Sequence, residues 1–274
     1  MKKTNFLLLV FSFYLLVSPA SAQEMKVISF NIRYNSAENI DGENGWPNRR
    51  DAVVRMINEE QPAAIGLQEA LIDQLEYLDK ALPAYQRVGV GRDDGAEAGE
   101  FMAVYYDTAQ LELIEVQTWW LSETPEEPSK GWDAACLRTV TVTHFRDKQK
   151  KKNEFFYLNT HLDHVGKTAR DEGARLIASL VPDKIPVIVG GDMNSTIEDE
   201  IFHHFFEVGL ETARDLTPHT SHEKTYNAFG KGESALIDHF FVRNVKVKEF
   251  RTLDGDYGVP FISDHYPIEI IIRL

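Results

Sequence analysis

The stretch Ile185–Asn194, IPVIVGGDMN, decides the fold of this 274-residue chain. Its apolar part, Ile185–Val189, is a β-branched run bounded by turn residues, which is typical of a buried strand. The two glycines that follow are expected to turn the backbone sharply and to present Asp192 and Asn194 together. A carboxylate and an amide at this spacing can act as the base and the orienter of one water molecule. An Asx-turn followed by a helix cap explains the same pattern equally well.

Other apolar runs in the chain also lie next to polar side chains. Val27–Phe30 precedes Asn31, Ala64–Leu67 precedes Gln68 and Glu69, Phe155–Leu158 precedes Asn159–His161, and Ser263–His265 stands just before Ile268–Ile272. Acidic, amide and imidazole groups gathered at strand ends suit the hydrolysis of phosphoesters with a hard cation, which prefers oxygen ligands. The pattern therefore favours a metal-dependent phosphoesterase.

The spacing of apolar residues predicts strands and helices in both halves of the chain. Helices are predicted at about 48–60, 71–81, 167–180 and 198–208, and strands at 25–31, 63–69, 185–190, 236–242, 245–250 and 267–272, with mainly strands from 81 to 161. The segment Ser122–Trp132 is predicted to be a loop because its prolines and glycine interrupt regular structure. Such a chain predicts an α/β sandwich of two packed sheets with helices outside.

The N-terminal segment has the features of a signal peptide. Lys2 and Lys3 precede the apolar run Phe6–Val17, and Ala20–Ala22 supplies a cleavage site of the A-x-A type. A retained membrane anchor is the alternative, but this run is shorter than the ~20 residues that a bilayer span needs. We expect residues 1–22 to be removed, leaving residues 23–274 as a single exported domain, periplasmic or secreted.

The composition limits the partners of the chain. The formal net charge is −14, and cleavage of a segment that carries Lys2 and Lys3 would make it −16. This acidic excess lacks the basic footprint of nucleic-acid binding, which makes duplex DNA a doubtful substrate. Cys136 is the single cysteine, so no intrachain disulfide forms, and its apolar neighbours predict a buried thiol. No obligate protein partner is evident, and we expect a monomer.

Two acidic residues stand out as candidates. Glu69 follows a buried strand and is the best single ligand for Mg²⁺; a surface glutamate that caps the next helix is the alternative. Asp238 lies inside an apolar strand, where a carboxylate is costly unless it is paired. Pairing with His265 would fix the imidazole tautomer, whereas a structural salt bridge with a lysine or arginine is the alternative.

Basic side chains could bind the phosphate. Arg138 lies in an alternating strand, and its guanidinium can hold a phosphate with two hydrogen bonds. His161 is expected to donate a proton or a hydrogen bond to phosphate, and His164 is expected to be peripheral. No third histidine or cysteine has a familiar zinc spacing. Three further arginines are weaker candidates, with at least one of the last two expected on a solvated helix face: Arg33, Arg49 and Arg50.

Taken together, these segments resemble the endonuclease/exonuclease/phosphatase superfamily of DNase-like metallohydrolases. The matching motifs, in chain order, are Ser29–Arg33, Gly66–Glu69, Asn159–Leu162, Gly190–Asn194, Ile237–Val242 and Ser263–Pro267. Two further segments, Trp119–Pro125 and Gly131–Ala135, resemble a secreted bacterial branch that is closer to the deadenylase and nocturnin-like members than to repair endonucleases. The resemblance implies a four-layer α/β sandwich with the active site at one edge of both sheets.

The resemblance also implies a role for each motif residue. Asn31, Glu69 and Asp264 match the metal site, where Asn31 would also face the substrate phosphate. Asp192 and Asn194 match the pair that positions and activates water. The catalytic histidine corresponds to His265 with Asp238 as its orienting partner, and the second histidine corresponds to His161. The implied cofactor is Mg²⁺, with Mn²⁺ as an alternative, and His239 stands where many relatives carry tyrosine.

The leading hypothesis is an exported Mg²⁺-dependent phosphodiesterase that uses metal-assisted in-line attack by water. Whether Asp192 or His265 is the base stays open at this point. A second hypothesis is a phosphomonoesterase or a phospholipase-C-like hydrolase of sugar or lipid phosphates. Trp119, Trp120 and Trp132 could form a lip for a base, sugar or lipid, but burial of at least two of them in the core is the favoured alternative. A third is a catalytically inactive binding module on the same fold.

Overall fold

A computed structural model describes residues 24–36, 40–217, 220–221 and 224–274. The predicted signal peptide, residues 1–22, lies outside the described residues. Among the helices of the described part, none is both long and apolar enough to cross a membrane.

Twelve strands and four α-helices make up the regular structure of the described residues. The strands are β1 (Met25–Asn31), β2 (Ala64–Gln68), β3 (Tyr85–Val88), β4 (Val104–Asp107), β5 (Leu111–Trp120), β6 (Thr139–Asp147), β7 (Glu154–His161), β8 (Val187–Asp192), β9 (Glu211–Thr212), β10 (Asp238–Arg243), β11 (Lys246–Thr252) and β12 (Ile268–Arg273). The helices are α1 (Trp46–Glu60), α2 (Ile72–Ala81), α3 (Lys167–Ser179) and α4 (His203–Glu207).

The strands form two mixed sheets of six strands each. The first has the order β11-β12-β1-β2-β4-β3 and the second the order β5-β6-β7-β8-β10-β9. One apolar cluster, which includes Val27, Tyr157 and Phe240, lies between the sheets. Helices α1 and α2 cover the outer face of the first sheet, and α3 and α4 cover that of the second. The predicted four-layer α/β sandwich is therefore confirmed.

Buried hydrogen bonds fix the two sheets relative to each other. Asn159 on β7 donates through Nδ2 to the carbonyl oxygens of Leu67 on β2 (2.9 Å) and of Ala103, which directly precedes β4 (3.0 Å). The Tyr157 hydroxyl donates to the carbonyl of Ile28 at 3.0 Å. Gly66 leaves room for this approach, because a Cβ there would lie 2.4 Å from the Tyr157 hydroxyl. The strand ends of both sheets are consequently held at fixed separations.

The register of the strands brings the polar strand ends together. In parallel pairs, Asn31 lies opposite Gln68 and His161 lies opposite Asp192. Asp238 begins the antiparallel strand β10 opposite Asp192. Residues far apart in sequence therefore meet at one edge of the sandwich.

The predicted role of the two glycines in Ile185–Asn194 is wrong. Both lie inside β8, and their small size serves close packing: a Cβ at Gly190 would lie 2.4 Å from the Phe240 ring, and one at Gly191 would lie 2.0 Å from the carbonyl oxygen of Thr160. The chain turns later, at Asn194, whose φ is 48°.

The helix predicted at 198–208 is also wrong in extent. A 3-10 turn, Glu200–Phe202, precedes the five-residue helix α4. The Asp199 side chain accepts a hydrogen bond from the backbone N–H of Ile201 and so begins the 3-10 turn. Phe202 and Phe205 pack on Phe241. The conformation of this segment is therefore determined by tertiary packing rather than by helical periodicity.

Candidate active site

A cleft of about 520 Å³ opens at the edge where the polar strand ends meet. Most of the predicted site residues line it: Glu69, Arg138, His161, Asp192, Asn194, Asp264 and His265. Asn31 and Asp238 are buried and hydrogen-bond to residues of the lining. The structure therefore brings the whole predicted set together.

Asn31 ties two carboxylates to each other. Its Nδ2 donates to Glu69 Oε1 and to Asp192 Oδ2, each at 3.0 Å. Its Oδ1 accepts from the backbone N–H of Arg33 at 3.0 Å. A ligand role for Asn31 would use the second lone pair of Oδ1, because the amide nitrogen faces the carboxylates.

Asp238 and His265 form the predicted pair. Asp238 Oδ2 lies 2.9 Å from His265 Nδ1, and no lysine or arginine of the described residues forms a salt bridge with Asp238. Burial alone would lower the pKa of His265, but the negative charges of Asp238 and Asp192 raise it to about 10. His265 is therefore an imidazolium whose Nε2 faces Asp192 Oδ2 at 3.7 Å.

Asp192 is the carboxylate on which the site converges. Its Oδ1 accepts from the backbone N–H of Asn194 at 2.9 Å, and its Oδ2 lies 3.4 Å from His161 Nε2. Burial, and then the charge of Asp238, raise the pKa of Asp192 to about 7. The Asx-turn of the alternative interpretation is found here, between Asp192 and Asn194. Its second part, a helix cap at Asn194 or Ser195, is wrong, because Asp199 caps the next helical turn.

His161 lies on the other side of Asp192, in a positive environment. Asn194 Nδ2 lies 3.0 Å from His161 Nε2 and donates to the carbonyl of Leu162. Burial, followed by the positive charges of Arg138 and Arg92, holds the pKa of His161 well below its usual range. His161 is therefore neutral and can serve as a hydrogen-bonding group.

Arg138 is held by an aspartate that the sequence reasoning missed. Arg138 Nε donates to Asp163 Oδ2 at 3.3 Å, and Nη2 lies 2.9 Å from His164 Nδ1. Asp163 also accepts from four backbone N–H groups, those of Ala135, Cys136, Val165 and Gly166. Its place directly after the strand-end motif was the available signal. The expectation that His164 is peripheral is wrong, because it lines the cleft.

The acidic residues of the cleft fit a hard cation. The Arg33 guanidinium lies 3.9 Å from Glu69 Oε2 and 3.8 Å from Asp264 Oδ2, so the two carboxylates share one positive charge. Burial raises the pKa of Asp264, and the charge of Glu69 adds to this rise. Asp238 Oδ1 is buried without a hydrogen-bond partner among the described residues. Oxygen donors that repel one another in this way are the ligand set that Mg²⁺ or Mn²⁺ prefers.

Glu69 does not cap the following helix, as the alternative interpretation proposed. Its carboxylate accepts from Asn31 and from the backbone N–H of Tyr34 at 3.2 Å, and its φ is 61°. Gln74 instead accepts from the backbone N–H of Leu71 at the start of α2. The left-handed backbone of Glu69 is a strained conformation of the kind found at functional sites.

The structure shows neither the tryptophan lip nor the full burial of the Cys136 thiol that the sequence suggested. None of the three tryptophans lines the cleft; Trp120 is buried and donates to the carbonyl of Arg92 at 2.6 Å. The phenol rings that line the cleft are those of Tyr34 and Tyr226. Cys136 is half-buried in the cleft wall rather than fully buried.

The weaker arginine candidates divide into three environments. Arg33 lines the cleft. Arg49 is buried and donates to the backbone carbonyls of Ile32 and Ile262, which is a structural role. The Arg50 side chain is 43% exposed, so Arg50 is the member of the Arg49–Arg50 pair that lies on the predicted solvated helix face.

His239 is buried and lies 2.9 Å from the carbonyl oxygen of Ser195, outside the cleft lining.

Comparison with known proteins adds to this geometry. The sequence model of the Endonuclease/Exonuclease/phosphatase family matches residues 28–265. A solved endonuclease/exonuclease/phosphatase from Bacteroides vulgatus is 32% identical, with a TM-score of 0.86, over 92% of this chain and 99% of that one. The mannosyl-6-phosphatase of Bacteroides thetaiotaomicron is also 32% identical, with a TM-score of 0.85, over 91% of this chain and 100% of that one. The catalytic domain of human Nocturnin, at 19% identity and a TM-score of 0.69, covers 91% of this chain and 93% of its own and shares the fold.

Proposed function

This chain belongs to the Endonuclease/Exonuclease/phosphatase family, and on that premise we propose that it is a phosphoesterase that depends on a divalent cation. The observation that carries the proposal is Asp192, a cleft carboxylate held by Asn31 and Asn194 between two histidines. A buried carboxylate whose pKa is raised to about 7 can take a proton near neutral pH.

In the proposed reaction, Asp192 accepts a proton from a water molecule that Asn194 helps to orient. The water oxygen bonds to phosphorus as the bond to the leaving oxygen breaks, and the alcohol leaves after it gains a proton from solvent. His265, kept positive by Asp238, donates through Nε2 to the phosphoryl group, where negative charge accumulates. This assignment makes Asp192 the base and His265 the electrostatic partner.

Glu69 and Asp264, with the Oδ1 of Asn31, would hold the cation. Mg²⁺ or Mn²⁺ bound there supplies Lewis-acid polarisation of a phosphoryl oxygen. Arg138 would bind another phosphate oxygen, because Asp163 and His164 fix its side chain in the cleft wall. His161 would contribute a hydrogen bond rather than a proton.

The substrate can be a phosphodiester or a phosphomonoester with this chemistry. The sequence favours a diester, whereas a specific observation favours a sugar monoester: one solved relative at 32% identity is a mannosyl-6-phosphatase. The acidic net charge of the chain argues against duplex DNA. An inactive binding module is disfavoured because the complete set of chemical groups lines or supports one cleft.

Export and a monomeric state are part of the proposal. The A-x-A site at Ala20–Ala22 supports cleavage before Gln23. N-terminal sequencing of the protein from fractionated cells should begin at Gln23, and light scattering of that protein should give the mass of one chain. An intact Met1 terminus in the membrane fraction would contradict export.

The proposed function is tested with the purified chain and a panel of diesters, sugar phosphates, nucleotides and phospholipids. Hydrolysis should disappear in EDTA and return with Mg²⁺ or Mn²⁺. Asp192→Asn should remain inactive after metal is restored, and Glu112→Gln, which alters an exposed surface ion pair with Arg146, should behave as wild type. Full activity of the metal-stripped enzyme would contradict the proposal.

A further inference from the structure

One side of the cleft contributes only Arg138 as a contact to the substrate in the proposed mechanism. We call it the polar wall and define it by the side chains of Arg92, Glu100, Arg138 and His164, which all line the cleft. Arg92 and Arg138 lie close enough to the reaction centre to lower the pKa of His161. Because Asp192 and the polar wall line the same cleft, a substrate whose phosphate lies at Asp192 can place its leaving group against this wall.

The loop that carries Arg92 and Glu100 is pre-formed. Across it, Arg92 N–H donates to the carbonyl of Glu100 at 3.1 Å, and Asp93 N–H donates to that of Ala98 at 3.0 Å. Its base is fixed to the segment between β2 and α2, because Phe101 N–H donates to the carbonyl of Ala70 at 2.8 Å. Its other side is held by the hydrogen bond from Trp120 to the Arg92 carbonyl. A rigid wall of this kind needs little ordering when a ligand binds.

The charges on the wall are already compensated. Arg92 Nη1 donates to Glu100 Oε2 at 2.6 Å, and their side chains are only 12% and 16% exposed. Arg138 is paired with Asp163 in the same manner. A second phosphate would have to compete with these carboxylates, so the wall favours an uncharged group. The Arg92–Glu100 pair keeps unused N–H donors and carboxylate lone pairs that can bind hydroxyl groups, whereas Arg138 offers only unused N–H donors, because Asp163 already accepts five hydrogen bonds.

The wall does not suit a nucleobase or an acyl chain. The two phenol rings of the cleft lie near the acidic side: the Tyr226 ring is 5.0 Å from that of His265, and the Tyr34 ring lies 4.6 Å from the Arg33 guanidinium. In the part of the chain that the structure describes, the remaining lining of the cleft offers only Cys136 and Ile237 as apolar side chains. Among the described residues, the wall presents no phenyl, phenol or indole ring on which a base could stack, and it offers a lipid chain little apolar surface.

We infer that the polar wall binds the hydroxyl groups of a polyol, so that the substrate is a sugar monophosphate with its phosphate at Asp192 and its ring at Arg92 and Glu100. This inference rests on the proposed phosphoesterase function and adds the class of the leaving group. Glu100 and Arg92 are then the residues that determine specificity, because they contact the part of the substrate that does not react.

The test compares two phosphates of primary alcohols that differ in their hydroxyl groups: hexose 6-phosphates and n-hexyl phosphate. We expect wild type to prefer the hexose phosphate. Glu100→Gln should reduce this preference, measured as the ratio of the two kcat/KM values, by about tenfold or more, as loss of a charge-assisted hydrogen bond predicts. Arg92→Lys, which keeps the charge but not the planar fork, should reduce it less.

Glu154→Gln is the matched control, because Glu154 is also paired with an arginine but lies on the outer part of β7, away from the cleft. It should leave the ratio unchanged, and melting temperatures confirm that each variant is folded. A wild type without preference for the hexose, or a Glu100→Gln variant that lowers both kcat/KM values equally, would overturn the inference. If neither phosphate is hydrolysed while another ester of the panel is, the inference is overturned and the proposed phosphoesterase function stands. If no ester of the panel is hydrolysed, the proposed function fails, and calorimetric binding of hexose 6-phosphate that is equal in wild type and Glu100→Gln would overturn the inference separately.

Discussion

The two sides of the cleft shift the pKa of a buried histidine in opposite directions. His265 and His161 are both buried, and their Nε2 atoms lie 3.7 Å and 3.4 Å from the same oxygen of Asp192. Burial lowers the pKa of both imidazoles, but the carboxylate of Asp238 reverses the effect at His265 whereas the guanidinium of Arg138 adds to it at His161. Burial alone therefore does not decide the charge of a histidine; its charged neighbours do.

This difference gives the cleft one positive imidazole and one neutral imidazole around a single carboxylate. The arrangement separates two tasks: His265 can stabilise developing negative charge, while His161 can hold a hydrogen-bonding geometry without repelling the nearby arginines. The predictions below change either Asp192, which faces both histidines, or one side of the cleft at a time.

The largest effect is expected from changes at the positive side. Asp192→Asn and His265→Ala should each lower turnover by about 10²–10⁴-fold, the usual contribution of a positioned acid–base group. The measurement is kcat at saturating metal, with circular dichroism to establish that the variants are folded. Near-normal turnover in either variant would remove that residue from its assigned role.

A somewhat smaller effect is expected from Asp238→Asn, which preserves the shape of the pair but removes the charge that keeps His265 protonated. Turnover should fall by roughly a hundredfold or more, in line with amidation of an aspartate that orients a catalytic histidine. The melting temperature should change little, because Asp238 has no cationic partner other than His265 among the described residues. A structural role would show the opposite: a loss of about 3–5 kcal/mol of stability with turnover per folded molecule retained.

At the neutral side, His161→Gln should lower turnover by only about tenfold, the value of one hydrogen bond. Because His161 is already neutral, the variant should keep both limbs of the pH dependence of kcat/KM seen in wild type. Disappearance of one limb in His161→Gln would show that His161 titrates during turnover and would contradict its assignment.

The smallest effect on turnover, and a larger one on stability, is expected from Asp163→Asn. Burial would raise the pKa of Asp163, but the backbone N–H groups of Gly166 and Ala135 hold it well below its usual range. Because the pKa of Asp163 is lower in the folded than in the unfolded state, the ionised carboxylate stabilises the folded protein above the unfolded-state pKa of ~3.9. This stability is lost as the pH falls through the folded-state pKa. Denaturant unfolding should show a loss of roughly 3 kcal/mol near neutral pH and a weaker acid dependence than wild type. Glu112→Gln, at an exposed ion pair, should leave both quantities unchanged.

The sequence predicts the sandwich well because its strands are short apolar runs whose ends carry the functional groups. A second argument from the sequence pairs Asp238 with His265, since a carboxylate in an apolar strand needs a partner, and the structure shows this pair. The family membership expected from the motifs is confirmed.

Other features depend on packing that spacing alone does not encode. The glycines at 190 and 191 fit against Phe240 and Thr160 rather than forming the turn, which is visible only once the neighbouring strands are in place. The position of Asp163 after the strand-end motif does not reveal its role, because three of its partners, the backbone N–H groups of Ala135 and Cys136 and the guanidinium of Arg138, come from a separate segment. The position of Trp120 depends on its hydrogen bond to the Arg92 carbonyl in another loop, which the local sequence does not show.

The most direct test of the contrast between the two sides is an NMR titration of the side-chain nitrogens of His265 and His161 in the metal-free protein. At pH 7, His265 should carry protons on both ring nitrogens and His161 on only one. In Asp238→Asn, His265 should lose its charge at a lower pH while His161 stays as it was. Equal protonation of the two imidazoles at pH 7, or a charged His161 beside a neutral His265, would contradict the account.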